Sequence, residues 1–153
     1  MTGLGIAIAV HVLAVMWWIG GLAFVTVIIL PAVRHGLGND PRAAFHQIES
    51  RFAPQARIAV ILVGLSGLYL LWRLDAWYWL AHIAFWWLDA MILYWALFAL
   101  LLFVLEPAGV LERPMRDAAD EAGVWRRMQR FHAFMLVIAL VIIAGAAAGS
   151  HGF

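Results

Sequence analysis

The sequence contains no cysteine and no lysine, and only 12% of its 153 residues are charged. The absence of cysteine excludes disulfides, thiolate catalysis and iron–sulfur clusters, so His, Met and carboxylates remain as metal ligands. A net charge of +1 without a basic tail argues against nucleic acid as a partner. Because 66% of the residues are hydrophobic, the chain also has too little polar surface for a soluble protein of this size.

Four long stretches of the sequence carry almost no charge. They are 2–33, 58–72, 76–105, in which Asp89 is the exception, and 131–153. A hydrocarbon core about 30 Å thick requires about 20 apolar residues per helix, and Arg57 and Arg73 can snorkel outward from the shorter second stretch. We therefore predict an all-α fold, an integral membrane four-helix bundle that forms a single domain over 1–153. The predicted helices cover about 4–33, 54–74, 83–105 and 131–149.

Basic residues concentrate in two segments between these helices. The arginines of these segments are Arg34, Arg42, Arg51 and Arg57, and then Arg113, Arg116, Arg126, Arg127 and Arg130. The positive-inside rule predicts that loops 34–53 and 106–130 are cytoplasmic. Both termini are then on the periplasmic side of a bacterial inner (cytoplasmic) membrane, which the chain crosses several times.

The first of these loops has the pattern of a surface helix. Asp40 precedes Pro41 as an N-cap precedes a proline at the first helical position, and apolar residues then recur at helical spacing. We expect this helix to lie on the inner leaflet. Pro54 would then open the second membrane helix.

Three of the six histidines are expected at the outer rim of the bundle. His11 lies about two turns into the first helix, His82 just precedes the third, and His151 just follows the fourth. If the bundle brings these ends together, the three imidazoles could hold haem b, copper or zinc. His82 and His151 could equally be hydrated polar residues at the interface. His11 lies within an apolar helix, where an imidazole needs a partner, which favours a ligand role.

Two further polar residues are candidates for chemistry. His132 begins the predicted fourth helix at the inner side and could contribute to a second ligand pair there. Asp89 is the one acid inside a predicted span, seven residues after His82, which would place both on nearly the same helix face about 10 Å apart. A proton relay is one interpretation of Asp89, and pairing with Arg73 or a Trp indole is the other.

Motifs in the first third of the chain resemble two membrane families. His11 is followed by Trp17, Trp18, Gly20 and Gly21, and the helix ends in Pro31-Ala-Val-Arg34. This pattern resembles the opening of the copper-resistance D (CopD) domain family. It is also similar to the small four-helix bacterial protoporphyrinogen oxidases (HemJ).

A second stretch extends this resemblance toward the next helix. Arg51-Phe-Ala-Pro54-Gln-Ala-Arg57, which leads to Gly64-Leu-Ser-Gly67, is similar to the start of helix two in both families. The resemblance implies a four-helix membrane bundle that holds haem b or handles copper, with His11 carried over as a ligand. It does not extend to the substrate, because the oxidase family has a functional Lys in helix three, where this chain has Asp89.

Three functions follow from these observations. The first is a haem b protein, in electron transfer or as a small membrane oxidoreductase, with His11 paired to His82 or His151 and glycines of helices one and four admitting the ring. The second is a copper-binding or copper-transfer protein that uses the three outer histidines. The third is an accessory structural subunit without a cofactor. Expected partners are the lipid bilayer and an unknown redox partner or quinone- or porphyrin-like small molecule, and Gly-rich helix faces could also pair two copies of the chain.

Overall fold

The computed structural model describes residues 3–36, 40–108 and 121–149, and in these ranges it is helical without strands. Helix α1 (Gly3–Phe24) continues through a π-helical segment (Val25–Ile29) into α2 (Leu30–Arg34). Helix α3 is Pro41–Arg73, and short 3-10 turns follow at Ala76–Trp79 and Ile83–Phe85. Helix α4 (Trp86–Leu100) ends in a second π-helical segment (Leu101–Leu105), and α5 is Glu121–Gly149.

The described residues confirm the predicted all-α fold, and four of these helical stretches are long and apolar enough to cross a membrane. We refer to them as spans one to four; they are Gly3–Arg34, Arg42–Arg73, Ile83–Leu105 and Ala122–Gly149. Large apolar side chains cover their outer surface, and Leu13, Met16 and Leu93 are each more than 60% exposed. Such a surface is costly in water and suits acyl chains.

The second span begins earlier than the sequence indicates, because the expected surface helix and the membrane helix are one continuous α3. Asp40 is its N-cap, as predicted, and its carboxylate accepts hydrogen bonds from the backbone N–H groups of Arg42 and Ala43. Pro54 lies inside the helix instead of opening it. Because proline has no backbone N–H, the carbonyl of Ser50 lacks its helical hydrogen bond. Ser50 is exposed at the polar end of the helix, where the loss of this bond costs least.

The fourth span also begins before the predicted boundary at 131, since α5 starts at Glu121. The reason is a second buried apolar cluster at the arginine-bearing end of the bundle, in which the rings of Trp125 and Phe45 meet edge to face at 5.2 Å. Burial of Trp125 stabilises about three extra turns of helix. Arg126, Arg127 and Arg130 therefore lie on a helix and not in a loop.

The spans pack in a ring in which each contacts its two neighbours in sequence, and span four closes on span one. Aromatic side chains fill the diagonal between spans one and three. Trp18 contacts Tyr94 at 5.6 Å and Phe98 at 5.1 Å between ring centroids. The Tyr94 hydroxyl donates to the carbonyl of Met135 at 3.1 Å, which ties span three to span four.

Glycines at the helix interfaces are covered by aromatic rings from neighbouring segments. A Cβ at Gly64 would lie 2.5 Å from Trp95, and the Trp95 indole donates to the carbonyl of Val60 at 2.8 Å. Gly145 and Gly149 in span four face Trp86 and Trp87 in the same way. The flat groups that these glycines admit are therefore side chains of the protein itself.

Candidate ligand cavity and histidine sites

A cavity of about 150 Å³ lies in the arginine-bearing half of the bundle. Aliphatic and aromatic side chains of spans one to three form most of its wall, including Trp18, Phe52 and Phe98, and span four contributes His132. Of its lining residues, three are titratable: Glu49, Glu106 and His132. A largely apolar enclosure with a few polar groups is typical of a small-molecule site.

Both π-helical segments border this cavity. Val25 and Ile29 of the first and Leu102 of the second line it. Each segment ends two residues before a proline, Pro31 or Pro107. A proline ring clashes with the carbonyl four residues earlier, and the wider π turn relieves that clash. The prolines thus widen two helices where the cavity opens between them, and such turns occur frequently at functional sites.

His132 contributes an oriented imidazole to the cavity wall. Its Nδ1–H donates to the carbonyl of Met128, one turn earlier in the same helix, at 2.9 Å. The bond fixes the ring plane and places the lone pair of the neutral ring on Nε2. A ring nitrogen tied to a backbone carbonyl is the arrangement that orients histidine ligands in metal and haem proteins.

Glu106, one of the residues that line this cavity, is held in an ion pair. Arg57 Nη2 of span two lies 2.7 Å from Glu106 Oε1 at the end of span three, and both side chains are about one-third exposed or less. Partial burial makes this pair stronger than a surface ion pair, and it links two spans at the cavity rim. Glu106 therefore has a specific partner in addition to its expected position at the membrane interface.

His11 is held at a separate position, between spans one and two. Its Nδ1 lies 2.9 Å from Ser66 Oγ, and Ser66 in turn donates its hydroxyl proton to the carbonyl of Leu62. Because that proton is used, the imidazole Nδ1–H is the donor to Ser66, and Nε2 carries the lone pair. Gly67 leaves room for the ring, since a Cβ there would lie 3.2 Å from His11 Cε1.

His11 does not line the cavity that contains His132. The nearest cavity residue on its own helix is Trp18, seven residues further along, or roughly 10 Å along the axis. The two half-buried histidines therefore belong to different sites, and each has its own hydrogen-bond partner.

Of the three histidines expected at the outer rim, the structure describes His11 and His82, so their convergence with His151 stays a prediction. His82 is exposed and has an extended backbone that precedes the 3-10 turn Ile83–Phe85, so the helical spacing between His82 and Asp89 does not apply. His82 and His11 form no hydrogen bond with each other, and His151 lies outside the described residues. Within the described ranges, no group of three or more His, Asp or Glu side chains could hold a metal ion.

Asp89 has a partner that neither interpretation of the sequence included. Both of its carboxylate oxygens lie 3.2 Å from the backbone nitrogen of Ala81, which donates to them. Ala81 has a left-handed backbone with φ of 62°, and Asp89 is also in the first turn of α4, where a negative charge is favourable. Asp89 thus fixes the outer connection, and its role as a proton relay stays a prediction.

No direct signal in the sequence located the cavity or the partners of the two histidines. Pro31 and Pro107, each directly after an apolar run, are the signal that could have located the widened turns. No family model, no curated protein and no solved structure matches the chain. The likeness to CopD and HemJ proteins, with the haem or copper chemistry that it implies, therefore stays a prediction.

Proposed function

We propose that the protein is a haem b-binding membrane protein that acts in electron transfer or as a small membrane oxidoreductase. The observation that supports this most is His132, whose Nδ1–H is fixed by Met128 while its ring lines an aromatic cavity. A neutral imidazole with its lone pair on Nε2 can bind iron axially, and apolar walls keep the ring system dry. His11 is a second candidate ligand, oriented in the same way by Ser66.

The cavity that contains His132 fits haem only in part. A space of about 150 Å³ accommodates one aromatic ring and is smaller than a tetrapyrrole. The Phe52 ring covers Gly21 beside this space, so a swing of Phe52 would join the cavity to the flat surface at Gly21. Haem binding at His132 therefore requires Phe52 to move.

The cavity volume favours a second candidate, a quinone-like ligand with a single ring. Such a ring fits about 150 Å³ without rearrangement. Nε2 of the neutral His132 ring can accept a hydrogen bond from a hydroxyl of the quinol, the reduced form of such a ligand, and Glu106, paired with Arg57, is a charged group of the cavity wall for proton exchange. This ligand would make the protein a quinone-binding redox component.

An absorption spectrum of the detergent-purified protein tests these proposals. A Soret band with sharp α and β bands after reduction supports haem b. A quinone in the organic extract without a Soret band supports the second candidate. Copper by elemental analysis, with neither a Soret band nor a quinone, would favour the copper-binding alternative. The absence of haem, quinone and copper together would favour an accessory structural subunit.

Two alanine variants identify the ligand. His132→Ala should abolish the Soret band or the retained quinone, because the oriented Nε2 is lost. His11→Ala should leave a ligand in the cavity beside His132 unaffected. If the ligand were lost in His11→Ala and retained in His132→Ala, it would bind at His11 instead. His46→Ala is the matched control, since His46 is exposed. Full occupancy in both His132→Ala and His11→Ala would contradict the haem proposal.

We also propose that the arginine-bearing end faces the cytoplasm of a bacterial inner membrane, with both termini periplasmic. The distribution of arginine supports this orientation. Among the described arginines, Arg73 alone lies at the opposite end of the bundle.

A further inference from the structure

Three arginines converge on a recess on the outer surface of the bundle. The recess has a volume of about 320 Å³ and is lined by Arg34 at the end of span one and by Arg126, Gln129, Arg130 and Ala133 on α5. Arg126 and Ala133 each lie three or four positions from both Gln129 and Arg130, so the four residues are neighbours on the α5 surface. No carboxylate is among the lining residues that the structure describes.

We propose that this recess binds the phosphate of an anionic phospholipid. Guanidinium groups bind phosphate oxygens through paired hydrogen bonds, and the recess brings three of them together. A contact between Arg34 and Gln129 fixes the distance between the two helices that carry the arginines. The site is separate from the cavity that contains His132, because the two share no lining residue.

The depth of the recess matches the position of lipid phosphates. Arg34 ends span one, and Arg130 and Ala133 lie where span four enters its apolar part. Val137 continues the recess face one turn deeper and is 58% exposed, and Val27 of span one is 64% exposed. Acyl chains can therefore lie on apolar surface directly beyond the arginines, which a free phosphate would not use. Basic recesses of this kind at the membrane surface recognise anionic headgroups.

Lipid binding to the purified full-length protein can be measured by titration and native mass spectrometry. We expect phosphatidylglycerol to bind about tenfold more tightly than phosphatidylcholine. Arg126→Gln and Arg130→Gln should each weaken phosphatidylglycerol binding about fivefold, the effect of about one interfacial charge. Arg130→Lys should weaken phosphatidylglycerol binding less than Arg130→Gln, since lysine keeps the charge but not the paired hydrogen bonds.

Arg127→Gln is the matched control. Arg127 is exposed on the same helix but does not line the recess, and its substitution by Gln removes the same charge. Suppose that Arg127→Gln and Arg126→Gln weaken phosphatidylglycerol binding equally, with circular dichroism unchanged. General surface charge would then explain the binding, and the proposed site would be wrong. Equal binding of the two lipids would also overturn it. Competition by soluble glycerol phosphate at the affinity of the lipid would reassign the recess to a free phosphorylated molecule.

Discussion

His11 and His132 have in common that one ring nitrogen is already occupied. Ser66 accepts from His11 and Met128 accepts from His132, so in each neutral ring the other nitrogen carries the lone pair. The exposed His35 likewise donates Nδ1–H to the carbonyl of Pro31 at 2.6 Å, near the end of α2. Partial burial in an apolar span, and not the fixed tautomer, distinguishes the two candidate ligands from His35.

Ser66→Ala should destabilise the protein by about 1–3 kcal/mol, because the half-buried Nδ1–H of His11 would lose its acceptor. The measurement is thermal unfolding in detergent. Ser50→Ala is the control on the same helix, since the Ser50 hydroxyl bonds to the carbonyl of Gln47 at an exposed position. Equal melting temperatures for Ser66→Ala and the unmodified protein would mean that the His11–Ser66 bond contributes nothing.

Asp89→Asn should lower stability by about 1–2 kcal/mol, because a charged acceptor of the Ala81 N–H becomes a neutral one. Ala81→Gly should act in the opposite direction, since glycine adopts the left-handed backbone at φ of 62° without strain. Thermal unfolding of both variants checks the pair. If Asp89 were a proton relay instead, Asp89→Asn would suppress redox turnover and leave the melting temperature unchanged.

At this scale the sequence identifies which polar residues need a partner but not which partner they find. His11 and Asp89 are recognisable because each interrupts an apolar run. Ser66 is 55 positions from His11, and Ala81 contributes a backbone group whose availability depends on a left-handed turn. Neither partner is encoded in a local pattern.

At the scale of elements, proline sets the shape of the cavity. The two π-helical segments each precede a proline and each supply cavity residues, so the widened turns and the cavity have one cause. The helix ends that were mispredicted have another cause. Phe45 and Trp125, 80 positions apart in sequence, pack against each other, and this contact stabilises the helical start of both α3 and α5, where the sequence is more polar. Charge-free runs locate the helices, whereas long-range packing determines where they end.

Gly64→Ala tests the packing of helices against aromatic rings. The new methyl group would collide with Trp95, which also donates to Val60, so we expect a loss of about 1–3 kcal/mol in stability. Gly20→Ala is the control within span one, because nothing lies within 4 Å of its Cβ position. That variant should gain about 0.5–1 kcal/mol from higher helix propensity. Similar melting temperatures for the two variants would be inconsistent with close contact at Gly64.

At the scale of the whole molecule, the two ends of the bundle differ in chemistry. One end carries the cavity, the Arg57–Glu106 pair and the arginine recess. The other end has short aromatic turns that are held by Asp89 and contains one described arginine, Arg73, whose guanidinium lies 5.9 Å from the Trp72 ring. The candidate ligand and lipid sites therefore share the end that we propose is cytoplasmic, whereas the sequence placed the principal site at the outer rim.

Single cysteines can determine which end is cytoplasmic, because the natural chain contains none and gives no background labelling. Ser50→Cys reports on the arginine-bearing end, and Tyr78→Cys, at a side chain that is 64% exposed, reports on the opposite end. With a membrane-impermeant maleimide on spheroplasts, we expect Tyr78→Cys to react at once and Ser50→Cys to react only after lysis, because arginine-rich segments are retained in the cytoplasm. The reverse pattern would invert the topology and place His132 and its cavity near the periplasm. Labelling of both positions before lysis would contradict a single fixed orientation.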